Sequence, residues 1–379
     1  MKRCGMVTMY DDNFGTCLQA YSLQVVLSHM NIVPEIIRYN RKDMPIQESV
    51  FAKIMVKIKN IGVINLFRYI LSYKFIQGRK QAFEQFRTIK LKLSEQQYYR
   101  NSKLETLENL YDIFVCGSDM LWSEEFVKDW KFYFLEFVSN KKTIAYAPSF
   151  GKNEISEKYQ NFCKKLLKNI EFLSCRENAG VRLIQELSEL RIPQVLDPTM
   201  LLTRNDWNAV IDNNSRMVSE PYILMYLFGG TDGNRKKFFE TMQKELTIRN
   251  VFVPMTYEQY NAETLPDIGP LEYLRLFRDA EFVVTDTFHG LMFSIIFRKP
   301  FLVLERDDQN HWGKYSERMT STLEMLGLEE RYVNYSFHDF QSMKYLDYSS
   351  LDDILEEKRQ YSLEYLKKSL EDERHWDDK

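Results

Sequence analysis

Among the five histidines (His29, His289, His311, His338 and His375), His289 has the setting that suits chemistry. It follows a short apolar run at 282–285 and opens another at 291–297, with Asp286 and Thr287 in between. The first run is rich in β-branched residues and long enough for a buried strand. The side-chain oxygens of Asp286 and Thr287 can accept the free N–H groups of a starting helix. Lys299-Pro300 stops that helix, and 301–304 is a further buried strand. The stretch 281–304 therefore predicts a βαβ unit of a parallel sheet. Ligand crevices in such sheets lie beyond the carboxyl ends of the strands, where Asp286, Thr287 and His289 fall. A free helix N-terminus there favours an anion. Histidine is the side chain that ordinarily gains and loses a proton near neutrality, so proton transfer beside an anion is one reading. A structural histidine with its ring nitrogens satisfied is the other.

Two more charged residues end predicted strands: Asp119 after 112–116, and Arg176 after 172–175. Arg176 offers fixed positive charge to an anion, or a salt bridge to an acid such as Glu177. Asp119 is suited to proton transfer or to capping the helix that bears Trp122. Near the start of the chain, a strand at 3–9 leads into the loop YDDNFG and a helix at 16–30, followed by a strand at 33–39. Asn13 and Gly15 close that loop; glycine permits close backbone approach to a ligand, and asparagine forms turns. The loop lacks the three-glycine dinucleotide fingerprint, so a nicotinamide cofactor is not indicated.

The elements that must position these residues form two sets. Strands are expected at 3–9, 33–39, 112–116, 143–147, 172–175 and 194–196, and the last four of these end in small or polar residues, the pattern of an open α/β sheet with a functional edge. A chain of 379 residues exceeds one ordinary core. We divide it at about 200, after Asp197-Pro198. Residues 1–200 form one Rossmann-like domain and 201–345 a second. The second begins with a strand at 222–228 and a helix near 232–246, and Pro270 opens a helix at 271–279. Residues 346–379 form a surface helix and a charged tail, with ten acids and six bases from 351 onward. A basic helical excursion occupies about 49–92. Residues 49–83 contain no acid but carry Lys53, Lys57, Lys59, Arg68, Lys74, Arg79 and Lys80. That composition suits anionic lipid headgroups or a diphosphate-linked substrate, or simply a solvated basic face.

Composition narrows the function classes. A net charge of -3 gives no reason to expect nucleic acid. Five scattered cysteines without CxxC spacing argue against a zinc site or a disulfide framework and fit a reducing cytoplasm. Met1-Lys2-Arg3 runs into acidic sequence rather than an apolar leader, so no signal peptide is expected. No uncharged apolar run is long enough to span a bilayer.

The ordered set of motifs resembles the polysaccharide pyruvyl transferase family. The residues that carry it are Asn13-Phe-Gly15 with Gln19 and Leu23, Gly117-Ser118-Asp119 with Trp122, and the stretch AYAPSFG at 145–151. Ser174-Cys-Arg176-Glu177, Asp197-Pro-Thr199, Gly269-Pro270 and Thr285-Asp-Thr-Phe-His289-Gly290 complete it. The resemblance implies two Rossmann-like domains facing a cleft, as in GT-B enzymes. It also implies pyruvate transfer from phosphoenolpyruvate onto two hydroxyls of one sugar, giving a cyclic ketal in cell-surface polysaccharide. The acceptor would be a lipid-linked or nucleotide-linked precursor, met in the cytoplasm or at the inner membrane face. No metal or cofactor is implied beyond phosphoenolpyruvate as donor substrate. His289 becomes the acid or base and Asp119 a second proton carrier. Arg176 becomes the ligand of the donor's phosphate or carboxylate, and Asn13, Gly15, Ser118, Asp286 and Thr287 become substrate contacts. Some branches carry an arginine where this chain has Thr287. Arg298, Arg306, Lys314 and Arg318 are the nearby cations able to supply that charge, and Arg318 is assigned to the site. A glycosyltransferase using a nucleotide sugar shares the architecture and is the alternative enzyme. A non-catalytic glycan-binding protein is the alternative outside catalysis.

Overall fold

The computed structural model describes residues 1–40, 63–125, 129–211, 217–228, 233–254, 264–306 and 317–371; for 63–72 and 233–234 it describes the backbone alone. Among these residues two wholly parallel, five-stranded sheets organise the chain. The first contains β1 (Lys2–Val7), β2 (Ile32–Asn40), β3 (Leu93–Tyr99), β4 (Ile113–Cys116) and β5 (Lys142–Ala145), in the order β3-β2-β1-β4-β5. The second contains β6 (Tyr222–Leu227), β7 (Arg249–Pro254), β8 (Phe282–Thr285), β9 (Phe301–Leu304) and β10 (Tyr332–Val333), in the order β10-β9-β8-β6-β7. β4, β6, β8 and β9 are buried along their whole length. Strands covered on both faces read as continuous apolar runs, which is why the sequence marks them. β3 (LSEQQYY) pairs only with β2 at the sheet edge and buries only Ser94 and Tyr98, so its polar residues hide it. The expected strands at 172–175 and 194–196 reduce to single bridges, Ile144 to Phe172 and Cys175 to Gln194.

Helices cross over between the strands. Those longer than one turn are α1 (Phe14–His29), α2 (Val63–Lys90), α3 (Glu157–Leu166), α4 (Asn178–Ser188) and α5 (Arg204–Ile211), then α6 (Gly233–Leu246), α7 (Pro270–Asp279), α8 (Phe288–Ile296) and α9 (Glu317–Leu326), with α10 (Ser349–Glu371) after the last strand. The two sheets are wound in different orders. The first has the dinucleotide-type order and reverses direction between β1 and β4; the second has the flavodoxin-type order and reverses between β6 and β8. Each reversal opens a crevice at the carboxyl ends of the strands.

One apolar core runs through both domains. It joins Met6, Leu18 and Ile36 to Leu274 and Phe293, and to Leu366 of α10. Phe14 of α1 stacks on Tyr273 of α7 with centroids 4.3 Å apart. Separate clusters cover the outer face of each sheet. The domains are thus welded along their inner faces.

Two segments differ from their sequence readings. The basic excursion reaches the interface through Arg79, which is buried, lies over the Phe14 ring and donates to the Pro254 carbonyl at 2.6 Å. Phe83 and Phe86 of α2 join the shared core. This half of the excursion braces the two domains. Lys74 and Lys80 are exposed, while Lys53, Lys57 and Lys59 lie outside the described residues. The charged C-terminal segment is not a free surface helix. α10 buries Leu351, Leu355, Tyr365, Leu366 and Leu370 and returns to the N-terminal domain. There Tyr365 donates to the Ala145 carbonyl, Lys142 to the Leu370 carbonyl, and the Leu196 N–H to Ser362 Oγ.

Candidate active site where the two sheets reverse

The C-terminal half of the site starts at β8. Thr285 Oγ1 donates to the Tyr226 carbonyl at 2.7 Å, so the hydrogen of the 2.9 Å contact between Thr285 and Thr287 comes from Thr287. Thr287 Oγ1 in turn accepts the Gly290 N–H at 3.0 Å and caps α8. This chain consumes the Thr287 hydroxyl in holding the helix start. A Cβ on Gly290 would fall 2.1 Å from Thr285 Oγ1, so the turn needs glycine. Asp286 accepts the Phe228 N–H at 2.7 Å and is fully buried. Its other oxygen lies 3.9 Å from both Arg235 and Arg306. Cap and carboxylate together present His289 on the first turn of α8.

The N-terminal half comes from α1 and from the strand ends beside β4. Asn13 caps α1 by accepting the Thr16 N–H. Two residues on, Gly15 faces His289 so closely that a Cβ there would lie 2.0 Å from Nδ1. The two reversal points therefore touch. Asp119 leaves β4 with φ of 73°, a left-handed conformation unusual outside glycine and typical of strained functional positions. Ser118 is held on both sides: its N–H donates to Gln19 Oε1 and its Oγ to the Ala147 carbonyl.

Arg176 joins these parts. Its guanidinium lies 2.8 Å from Asp197, 3.4 Å from Asp119 and 3.8 Å from Glu177, all buried. Asp197 also accepts from the Thr199 N–H and hydroxyl, and its Oδ2 lies 3.7 Å from His289 Nε2. Burial alone would raise the Asp197 pKa, but His289 and then Arg176 outweigh it and hold the carboxyl well below the usual range. Glu177 goes the other way. Burial pushes it up, and Arg176 and Arg318 offset only part of that. Both Arg176 and Arg318 lie over the Phe288 ring, at 4.2 and 5.4 Å.

At this site the buried charge is divided between the domains. On the N-terminal side three carboxylates (Asp119, Glu177, Asp197) surround one guanidinium, Arg176. On the C-terminal side three guanidiniums (Arg235, Arg306, Arg318) accompany one carboxylate, Asp286. One wall thus offers proton acceptors and the other offers anion binding. Beside the Arg176–Phe288 contact a cavity of about 590 Å³ opens between the domains and α10, lined by Gln194, Met292, Ser321, Met325, Lys358 and Tyr361.

The structure brings His289, Asp119, Arg176, Ser118, Asp286, Thr287, Gly15 and Arg318 into one neighbourhood, with Asn13 capping α1 alongside. Several side chains are engaged by the fold rather than free for a ligand: Thr287 and Asn13 as caps, Ser118 between Gln19 and Ala147. Arg298 pairs with Asp352 at the surface. Lys314 and His311-Trp312 lie outside the described residues. Trp122 stacks on Phe134 in the core, and Tyr146 donates to the Leu196 carbonyl. Sequence reasoning did not place Asp197, Glu177, Phe288 or Arg235 in the site. Asp197 had a visible signal, a carboxylate directly after a predicted strand. Arg235 on α6 had none, because only the winding of the second sheet brings it to Asp286.

Comparison with known proteins agrees with this architecture. A family model described as polysaccharide pyruvyl transferase matches residues 13–308. No curated protein matches the chain. The UDP-GlcNAc 2-epimerase of Methanocaldococcus jannaschii is 14% identical over 95% of this chain and 94% of its own, with a TM-score of 0.52. The same enzyme in complex with UDP-GlcNAc and UDP is 15% identical over 98% and 99%, again with a TM-score of 0.52. A proposed UDP-N-acetylglucosamine 2-epimerase of Listeria monocytogenes is 10% identical over 100% and 98%, with a TM-score of 0.51. At these identities the likeness shows the fold, two Rossmann-like domains in a GT-B arrangement. The family match spans well over half of the sequence and covers all the buried site residues except Arg318: this chain belongs to the polysaccharide pyruvyl transferase family.

Proposed function

We propose that the protein moves pyruvate from phosphoenolpyruvate onto two hydroxyls of one sugar, forming a cyclic ketal in a precursor of cell-surface polysaccharide. The reaction balances without an added oxidant or reductant. The methylene carbon of the donor gains a proton, and the neighbouring carbon forms two bonds to sugar oxygens. Its bond to the phosphate oxygen breaks. Of the two hydroxyl protons released, one balances the new methyl group and the other leaves on phosphate.

His289 gives the proton to the methylene carbon and then takes one from an attacking hydroxyl. Asp197 faces the imidazole from 3.7 Å, where a buried carboxylate sits beside a catalytic histidine. Asp119 takes the second hydroxyl proton. Arg176 keeps Asp119 and Asp197 in place by charge-assisted contacts. The cavity that shares Arg176, Asp197 and Phe288 as wall has room for a sugar ring. The observation that carries the reading is the position of His289 at the domain junction, with a buried carboxylate of the other domain 3.7 Å from its Nε2. Among the described residues no helix is long and apolar enough to cross a membrane. Work on a lipid-linked acceptor would place the protein peripherally at the cytoplasmic membrane face.

The test is incubation with phosphoenolpyruvate and a panel of lipid-linked and nucleotide-linked sugars, reading phosphate release and acceptor mass together. Equimolar phosphate and an acceptor heavier by one pyruvate less one water support the proposal. Turnover of UDP-GlcNAc that ignores phosphoenolpyruvate would favour the glycosyltransferase reading instead.

A further inference from the structure

Arg318 is the anomaly among the buried charges. It is 8% exposed, yet its guanidinium makes no hydrogen bond and no ion pair among the described residues. Its contact is the Phe288 ring, which it shares with Arg176. Burial, reinforced by the charge of Arg176 and opposed only in part by the more distant Asp119 and Glu177, pushes it down to about 10, so it stays charged at neutral pH with no carboxylate in ion-pair contact among the described residues. A buried unpaired cation is among the costlier features a fold can carry. Arg306 stands on the same wall. It donates through Nε to the Asp286 carbonyl at 2.8 Å, and its terminal nitrogens make no hydrogen bond among the described residues. Arg176 cannot fill the same role, because three carboxylates already surround it.

We propose that Arg318 and Arg306 form the seat for the donor's phosphate, and that Arg318 supplies from α9 the charge that other branches place at the position of Thr287. This rests on the phosphate-donor reading given above. Relocating the arginine leaves Thr287 free to cap α8 while the cation still approaches the cleft beside Phe288. It also separates two tasks. Arg176 organises the carboxylates that handle protons, and Arg318 with Arg306 holds the leaving group and stabilises its growing charge.

The test measures affinity for phosphoenolpyruvate, inorganic phosphate and UDP-GlcNAc by calorimetry and thermal shift. It uses the whole protein, Arg318→Met and Arg306→Leu. The expected result is an affinity for phosphoenolpyruvate and phosphate lower by about 10- to 100-fold in each variant. The ligand-free melting temperature of Arg318→Met should be unchanged or higher, because removal of an unpaired buried charge relieves the fold. A structural arginine would show the reverse, a lower melting temperature with unchanged affinity, and that outcome overturns the seat. Binding of UDP-GlcNAc but not phosphoenolpyruvate, still dependent on Arg318, would keep the seat and overturn the donor. A wild-type protein that binds none of the three would overturn both.

Discussion

His289 Nε2 lies 3.7 Å from Asp197 Oδ2, and the two residues come from opposite domains. Neither sheet alone contains the pair. Asp197→Asn should reduce turnover by roughly 10² to 10⁴ if His289 needs its carboxylate for proton transfer, with His289→Asn at least as severe. Steady-state kinetics with phosphoenolpyruvate should put the His289→Asn loss in kcat rather than KM. A His289 variant with full turnover would dismiss the proton-transfer role.

Gly15 gives a subtler probe of the same contact. Alanine there would bring a methyl group to 2.0 Å from the imidazole. Overpacking of this kind typically costs about 1–3 kcal/mol, and the ring must move to relieve it. We expect Gly15→Ala to unfold at modestly lower urea concentration and to lose turnover out of proportion to that change. Equal kinetics in the two proteins would mean that the ring position does not matter.

Acid titration should separate two of the three carboxylates beside Arg176, Asp197 and Glu177. The folded pKa of Asp197 is depressed, so its contribution to stability is full above the unfolded value of about 3.9 and is lost as pH falls toward the folded value. Glu177 has a raised folded pKa, so its contribution is full below about 4.3 and is lost as pH rises through the folded value. Asp197→Asn should therefore be destabilising at pH 7 and less so in acid. Glu177→Gln should be neutral or stabilising at pH 7, with the difference fading in acid. Urea midpoints at pH 7 and at about pH 2, well below both unfolded values, report both signs.

Thr287 tests the capping assignment. If its hydroxyl serves only the start of α8, Thr287→Ala should cost about 1 kcal/mol and Thr287→Ser almost nothing. Affinity for phosphoenolpyruvate should stay within a few-fold of wild type in Thr287→Ser. A large loss of affinity in the serine variant would show that the threonine methyl shapes the donor site.

Much of this could be read from residues alone, and the rest fails for physical reasons. The βαβ unit around His289 was legible because β8, α8 and β9 are apolar along their length and punctuated by a cap and a proline. β3 was not, because an edge strand needs only one apolar face. The neighbourhood of His289, Arg176 and Asp119 followed from strand ends facing a shared crevice. The partner of His289 did not, because a carboxylate more than ninety residues away becomes its neighbour only through the meeting of two sheets. Arg176 shows the same limit. Its adjacent acid, Glu177, was the obvious partner, whereas the nearest in space is Asp197, at 2.8 Å against 3.8 Å.

The return of α10 to β5 has a consequence for how the protein comes into being. Ala145 and Lys142 receive their partners from Tyr365 and Leu370, more than two hundred residues downstream. The domain that leaves the ribosome first is therefore the one completed last, and its inner face waits for a helix not yet translated. Until α10 arrives, the apolar surface along that seam that its buried leucines and Tyr365 cover stays open to water.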